Sequence, residues 1–401
     1  MSKKKILSII ILAIFLLTFI PWFYHKYRLD HAIIKVTLKD ALEVEVYSKA
    51  KVSDFLEEIN GTLVKDESID TTKVGKQEIT FHFINEENLK VPYTFTITVM
   101  DNTPPTIRLG RNYSVPKNYE GSIEEDIFCG DNYDDDPSCT IEGEYDVTTV
   151  GSYALTYVAK DSNENETTQD FILNVYEPSS SSKEGSSTPS YTDFNEVVAT
   201  YKNDNTKIGI DVSHWQGDID FEKVKDAGIE FVFIRVGTSN GIGGDYILDR
   251  KFKQNIEGFL EADIPVGIYY YSYANSVKQA KKDAEWVLKQ IKDYDITLPI
   301  AFDWESWGSF QEFNLSFYHL TEVATTFLEE IEKEGYEGML YSSKTYLESI
   351  WYETPYQTWL AHYTDETDYQ KDYTVWQLCN DGQVEGIEGA VDINVMYESE
   401  K

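Results

Sequence analysis

The sequence predicts a multidomain chain: an N-terminal transmembrane helix, two small all-β sandwiches, and a C-terminal β/α barrel of the TIM type with irregular last strands. Three observations predict it. Nineteen residues, Ile6 to Tyr24, carry no formal charge; two stretches 76 residues apart repeat one turn-and-strand pattern; from Lys207 onward, short apolar runs alternate with amphipathic helical ones. A chain of 401 residues buries a sizeable core and suits two or three domains. Its 29 Tyr, 20 Phe and 8 Trp exclude disorder over most of the length. Against 35 basic residues stand 70 acidic ones, a net charge of -35, and residues 207–401 alone carry 16 basic against 36 acidic. Such a surface repels phosphate polymers, which excludes nucleic acid as a partner.

Residues 1–30 read as a cytoplasmic lysine cluster and a signal-anchor. Lys3, Lys4 and Lys5 precede the charge-free run, which as a helix spans roughly 28 Å, close to the hydrocarbon core of a bilayer. Pro21, Trp22, Phe23 and Tyr24 then read as an aromatic interface belt. A cleaved signal peptide is the competing reading, but bulky aromatics stand where an A-x-A-like cleavage site belongs. The triple lysine places the N-terminus in the cytoplasm, weakened by Lys26 and Arg28, and everything after residue 30 outside the cell. The expected location is therefore the cell membrane, with a single pass.

Residues 31–101 and 102–177 form the repeat. Val74-Gly75 and Val150-Gly151 each open an alternating strand, a polar turn and a second alternating strand. Period-2 alternation rich in Thr, Val, Tyr and Phe means half-buried antiparallel strands, so each copy is a small β-sandwich. The junction Asp101-Asn102-Thr103-Pro104-Pro105-Thr106-Ile107 is similar to the boundary between bacterial immunoglobulin-like surface repeats. The resemblance implies a spacer, with no identified ligand or envelope partner. Cys129 and Cys139 bracket a short acidic loop and, outside the cell, read as a disulfide that stabilises by ~2–3 kcal/mol. Cys379 reads as a buried free thiol. Asp131, Asp134, Asp135 and Asp136 lack the Gly and Glu spacing of a known calcium loop, and calcium binding there is left open. Residues 178–206, rich in Ser and Pro, read as a flexible linker.

From Lys207 the chain presents eight strand candidates: Ile208–Asp211, Phe231–Arg235, Val266–Tyr271, Pro299–Asp303, Gly338–Tyr341, Thr358–Tyr363, Thr374–Leu378 and Val391–Asn394. Helical patterns follow the first several, as in a β/α barrel, whose active residues lie at the C-terminal ends of its strands. Asp211, Asp303, Glu305, Gln377 and Asp392 sit at those ends. Asp303-Trp304-Glu305 closes the apolar run LPIAF, and strand alternation points both acids one way, about 6.6–6.8 Å apart along the chain, with Trp304 facing away. Two carboxylates on one rim suit cleavage of a glycosidic bond, one held protonated and the other charged. The competing reading is an ion pair with Arg235 or a nearby lysine, but cations are scarce here. His214 and His362 lie near strand ends without a spaced third ligand, so neither a metal nor any other cofactor is expected.

The motifs GIDVSHWQGDIDFEKVKDAGIEFVFIRVGTS (Gly209–Ser239), DRKFKQNIEGFLEADIPVGIYYYS (Asp249–Ser272), PIAFDWE (Pro299–Glu305), TWLAHY (Thr358–Tyr363), VWQL and VDIN together resemble glycoside hydrolase family 25. These are the Chalaropsis-type lysozymes, N-acetylmuramidases that cut the β-1,4 bond between N-acetylmuramic acid and N-acetylglucosamine in peptidoglycan. The resemblance covers essentially all of residues 207–397 and implies a β/α barrel with irregular last strands. It implies Glu305 as acid/base and Asp303, Asp211 and Asp392 as the other cleft carboxylates; the chemistry of an acid paired with a charged carboxylate then has Asp303 remain ionised. Trp215, Tyr269, Tyr271, Trp359, Tyr363 and Trp376, with Gln377, are the candidate sugar contacts, although each aromatic taken singly is as readily a core residue. The implied partner is the peptidoglycan glycan strand. Leu378, Met396 and Tyr270 depart from the residues the family often has, which touches subsite lining rather than the acids.

Overall fold

A computed structural model describes residues 3–178 and 191–398, with side chains from residue 15. The chain divides into two units, 1–102 and 103–401. In the first, Lys3–Asp30 is one helix. Among the described residues no helix is long and apolar enough to cross a membrane; the side chains of residues 6–14, the first half of the expected anchor, lie outside them. The hairpin Gly75–Asn85 with Lys90–Met100 centres a four-stranded sheet, edged by Glu43–Glu45 and Gly61–Leu63, and Val36–Leu38 pairs with Leu56–Ile59. Its inward face carries Phe81, Phe83, Phe95, Ile97 and Val99, all buried.

The second unit begins with another β module. Its hairpin Gly151–Lys160 with Glu166–Tyr176 repeats the first one, and Gly151 opens its strand just as Gly75 does. The disulfide joins Cys129 to Cys139, and Cys379 is a buried free thiol. This module is not a free spacer. Its strand Phe128–Gly130 packs on the 3₁₀ turn Trp307–Phe313 of the following domain.

The expected linker, 178–206, is too long. Residues 179–190 lie outside the described residues, but Thr192–Asp193 pairs with a barrel strand and Phe194–Tyr201 is a helix capped by Asp193. Phe194 and Val197, on one face of FNEVVATY, are buried against the barrel core, which outweighs the local polarity that suggested a tether.

The barrel has eight strands: β1 (Thr206–Val212), β2 (Val232–Ser239), β3 (Val266–Tyr271), β4 (Ile300–Asp303), β5 (Gly338–Ser343), β6 (Gln357–Ala361), β7 (Val375–Gln383) and β8 (Val391–Tyr397). β1 to β7 pair in parallel, in sequence order. β8 closes the ring antiparallel to both β7 and β1. Two side-chain layers follow from the pleat. Phe231, Phe233, Ala301, Met339, Trp359 and Val375 point inward as one cluster, while Val232, Ile234, Ile300, Phe302 and Leu360 point outward onto the helices. Gly209 is required inside, since a Cβ there would overlap the Phe231 ring.

Candidate active site

The inward register, carried one or two residues further up each strand, produces the site. Above Phe233 comes Arg235, above Ala301 comes Asp303, above Met339 comes Tyr341, and above Val375 comes Gln377. Together with Asp211, Glu305, Asp392, Tyr269, Tyr271, Trp359, Tyr363, Trp215, Ser213 and Gln216 they line a cleft of about 300 Å³ at the rim. All four expected acids and every expected sugar contact but one therefore come together. The exception is Trp376. Alternation turns it away from Gln377, so it is buried outside the barrel, donating Nε1–H to the His362 carbonyl at 2.8 Å and meeting Tyr201 edge-on. Asp392 also arrives by a different route from the one its position suggested. It sits near the start of β8, and reaches the rim because that strand runs backwards, in register with Asp211.

Asp211 is rigidly held. Its Oδ2 accepts from Gln377 Nε2 and Asn394 Nδ2, each at 2.8 Å; Trp359 Nε1–H in turn fixes Asn394 Oδ1 at 2.8 Å. The Tyr341 and Tyr363 hydroxyls donate to Gln377 Oε1 at 2.9 and 3.1 Å. Trp359 is thus a floor residue, stacked on Phe233, whereas Trp215 is 74% exposed at the lip. Tyr341, Ser213, Gln216 and Asn394 are site residues that the sequence reading passed over; period-2 register from Met339 and Asp392 was the signal that would have found Tyr341 and Asn394.

Among the described residues no cation forms an ion pair with any of the four acids. Arg235 lines the cleft, yet its Nε and guanidinium Nη2 go to Asp249, at 3.0 and 2.7 Å. Asp249 also accepts from the His214 backbone at 3.1 Å and faces its Nδ1 at 3.0 Å, which is the work of that histidine. His362 Nδ1 faces the Thr367 hydroxyl. The acidic loop of the second β module is likewise engaged: Asp131 and Asp134 accept backbone N–H groups, and Asp135 accepts from Ser316 N and faces His319.

Electrostatics follow burial and crowding. Desolvation first, then Glu305 and Asp211, push Asp303 well above the carboxylate range; the Arg235 charge opposes them. Asp303 Oδ1 is buried without a hydrogen-bond partner. Asp303 is 4% exposed, in surroundings that favour its protonated form, against the expectation that it stays ionised. Asp211 is raised to about 6 by burial, against its two amide bonds. Asp392 is raised to about 8, by burial first and Asp211 second. Glu305 is open to water on its cleft side but crowded by protein elsewhere; burial raises it, contact with the Tyr341 hydroxyl lowers it, and Asp211 raises it again. As a set, the four acids retain protons at pH values where isolated carboxylates would have lost them.

Residues 210–387 match the family model for glycosyl hydrolases family 25. An uncharacterized protein, YegX, of Escherichia coli (strain K12) is 30% identical over 195 residues, covering 47% of this chain and 68% of the relative. An autolytic lysozyme of Clostridium acetobutylicum is 25% identical over 195 residues, covering 47% of this chain and 56% of the relative. Among solved structures, the modular autolysin LytC of Streptococcus pneumoniae, in complex with a synthetic peptidoglycan ligand, is 22% identical with a TM-score of 0.43; the match covers 60% of this chain and 56% of that one. This chain therefore spans little more than half of those two proteins. On the strength of the family match and the relative covered over two thirds of its length, the chain belongs to glycosyl hydrolases family 25.

Proposed function

We propose that this protein is a peptidoglycan N-acetylmuramidase, hydrolysing the β-1,4 bond between N-acetylmuramic acid and N-acetylglucosamine. One observation carries the reading: a buried Asp303 with its Oδ1 unpartnered ends β4, a solvent-facing Glu305 follows two residues on, and both share an aromatic-walled cleft with two further acids. Glu305 has a raised pKa and is the acid that water and substrate reach, so it protonates the leaving oxygen. Asp303 lies beneath it. A substrate cation-like centre over the cleft restores its ionised form, and the carboxylate then either attacks the anomeric carbon or orients the substrate's 2-acetamido group as that group attacks. Asp211, fixed by Gln377 and Asn394, and Asp392 hold sugar hydroxyls and set the charge of the pair. Tyr269, Tyr271, Tyr363 and Trp215 offer faces for sugar stacking. The autolytic lysozyme and the peptidoglycan-bound autolysin among the similar proteins support the same substrate. The lysine cluster and charge-free run support a single-pass anchor in the cell membrane, the first β module a spacer resembling immunoglobulin-like repeats, and the cleft a place outside the cell facing the wall.

The test is digestion of purified peptidoglycan by the full chain, borohydride reduction and mass spectrometry of the products. New muramitol ends are expected. New glucosaminitol ends would assign the neighbouring glucosaminidase bond instead, and no new ends would leave a wall-binding protein. For the anchor, the chain should stay in membranes through carbonate washing and be cut by protease added outside protoplasts. A mature form beginning near residues 25–35 in the medium would contradict it.

A further inference from the structure

One side chain of the second β module does not belong to that module's own core. Phe128 is 5% exposed, yet it packs with the barrel, its ring 5.2 Å from Phe310, 6.2 Å from Phe317 and Tyr346, and 6.3 Å from Trp307. Its neighbours Ile127 and Cys129 face the other way, into the module. Gly130 shares the Phe128 face, and a Cβ there would come within 2.6 Å of Phe310 and 2.7 Å of Phe317. Polar bonds fix the same seam. Gln311 Nε2 donates to the Ile127 carbonyl at 2.6 Å, Phe317 N to the Asp131 carbonyl at 2.8 Å, and Ser316 N to Asp135 Oδ1 at 2.6 Å.

All these contacts except that to Tyr346, which belongs to the later helix Lys344–Ser349, fall on the segment that continues from Asp303-Trp304-Glu305. Trp307 N donates to the Glu305 carbonyl at 2.8 Å. Trp304, fully buried between the two acids in sequence, meets Trp307 at 4.7 Å and Phe313 at 4.8 Å, both edge-on. The Glu305 backbone therefore has β4 on one side and, on the other, an aromatic turn whose outer wall is Phe128.

We propose that Phe128 is a positioning residue for Glu305, and that the module of residues 103–178 braces the turn that carries the acid. This rests on the reading of Glu305 as the acid. A brace acts through geometry, and misplacement by about 1 Å from a distant change can cost about 10²-fold in rate.

The full chain is compared with Phe128→Ala, Phe128→Leu and Gly130→Ala on soluble glycan strands, with circular dichroism and thermal melting as folding controls. Phe128→Ala should lower kcat by about 10–10²-fold with KM nearly unchanged. The alkaline limb of its kcat profile should move to lower pH, because a loosened, wetter turn returns Glu305 toward its ordinary pKa. Phe128→Leu, which refills most of the space, should recover most of the loss. Gly130→Ala wedges the seam without touching either the acids or the module's core, and decides the matter if Phe128→Ala does not fold. Acrylamide quenching of tryptophan should rise in both. A folded variant with wild-type kcat and an unmoved alkaline limb would overturn the brace. If the wild-type chain cleaves no glycan strand, the functional reading fails instead; quenching then decides the brace alone, with unchanged access by Phe128→Ala and Gly130→Ala overturning it.

Discussion

Carboxylates at one end of the barrel behave in opposite ways, Asp249 on one side and the cleft acids on the other. Asp249 lies 14 residues after Arg235 in the chain and bonds it directly; its side chain is fully buried, and despite that burial its pKa is lowered, by the Lys251 backbone N–H, the guanidinium and His214. Asp211, Asp303, Glu305 and Asp392 line the same end of the barrel, and all four are raised. Asp249, Asp211 and Asp303 are all buried, so burial alone does not decide the direction. The partner does: Arg235 is spent on Asp249, and the cleft acids are left with amides, hydroxyls and one another. An ion pair contributes to the fold, whereas withheld partners leave protons available for chemistry.

The largest effect that sharpens this contrast is on rate. Glu305→Gln keeps the shape and hydrogen bonding of the side chain but has no proton to give, so glycan cleavage should fall by roughly 10²–10⁴-fold with the fold intact by circular dichroism. Near wild-type cleavage by the folded variant would reassign the acid. Asp303→Asn should cost about as much, since it removes the negative charge facing an oxocarbenium-like transition state. It should leave thermal stability equal or higher, because it replaces a buried acid whose Oδ1 has no partner. A destabilised Asp303→Asn variant would move Asp303 into the structural set.

Much of this was legible in the residues. Eight apolar runs at period 2 located the eight strands, and the same period brought Asp303, Asp211 and Gln377 to the inward face. Trp376 was misread although the rule that places Gln377 inward places Trp376 outward. What local pattern does not contain is direction and docking. Nothing in Val391–Asn394 states that β8 runs backwards, because antiparallel closure is decided by the two strands it must fit between. The second β module was read as a spacer from its likeness to the first, since the repeat lies in the hairpins and the docking strand does not. Its signal was the unbroken run Ile127-Phe128-Cys129, where a strand with one wet face would alternate. Equally, the helix Phe194–Tyr201 was hidden in a Ser- and Pro-rich neighbourhood whose composition dominated its own amphipathic spacing.

A smaller effect lies on stability. Asp249→Asn leaves Arg235 without its carboxylate in a largely buried place, and breaking such a pair costs about 3–5 kcal/mol. Because the Asp249 pKa is lowered in the fold, its contribution is present above the ordinary carboxylate value and is lost as pH falls through the folded one. The gap in Tm between wild type and Asp249→Asn should therefore be widest near neutral pH and close in acid. A gap that is flat from pH 7 down to about pH 3 would mean that the Arg235 pair does not stabilise the fold.

The smallest effect has the opposite sign and tests the contrast most closely. Asp392 is raised to about 8 from an ordinary value of 3.8, so the folded chain holds its proton more tightly than the unfolded chain does. The resulting stabilisation is complete below about pH 4 and is lost as pH rises through about 8. Wild-type Tm should then decline across that window. The net charge of -35 gives a decline of its own by self-repulsion, so the informative quantity is the difference from Asp392→Asn, which changes one group and shares the rest of that charge. Asparagine does not titrate, and the variant should melt less steeply with pH, gaining on the wild type progressively from about pH 4 to about pH 8. Tm measured at pH 5, 6, 7 and 8 decides it. If the Asp392→Asn difference instead shrinks toward neutral pH, or follows the same course as that of Asp249→Asn, the two sets of acids are alike and the rim holds no reserve of protons.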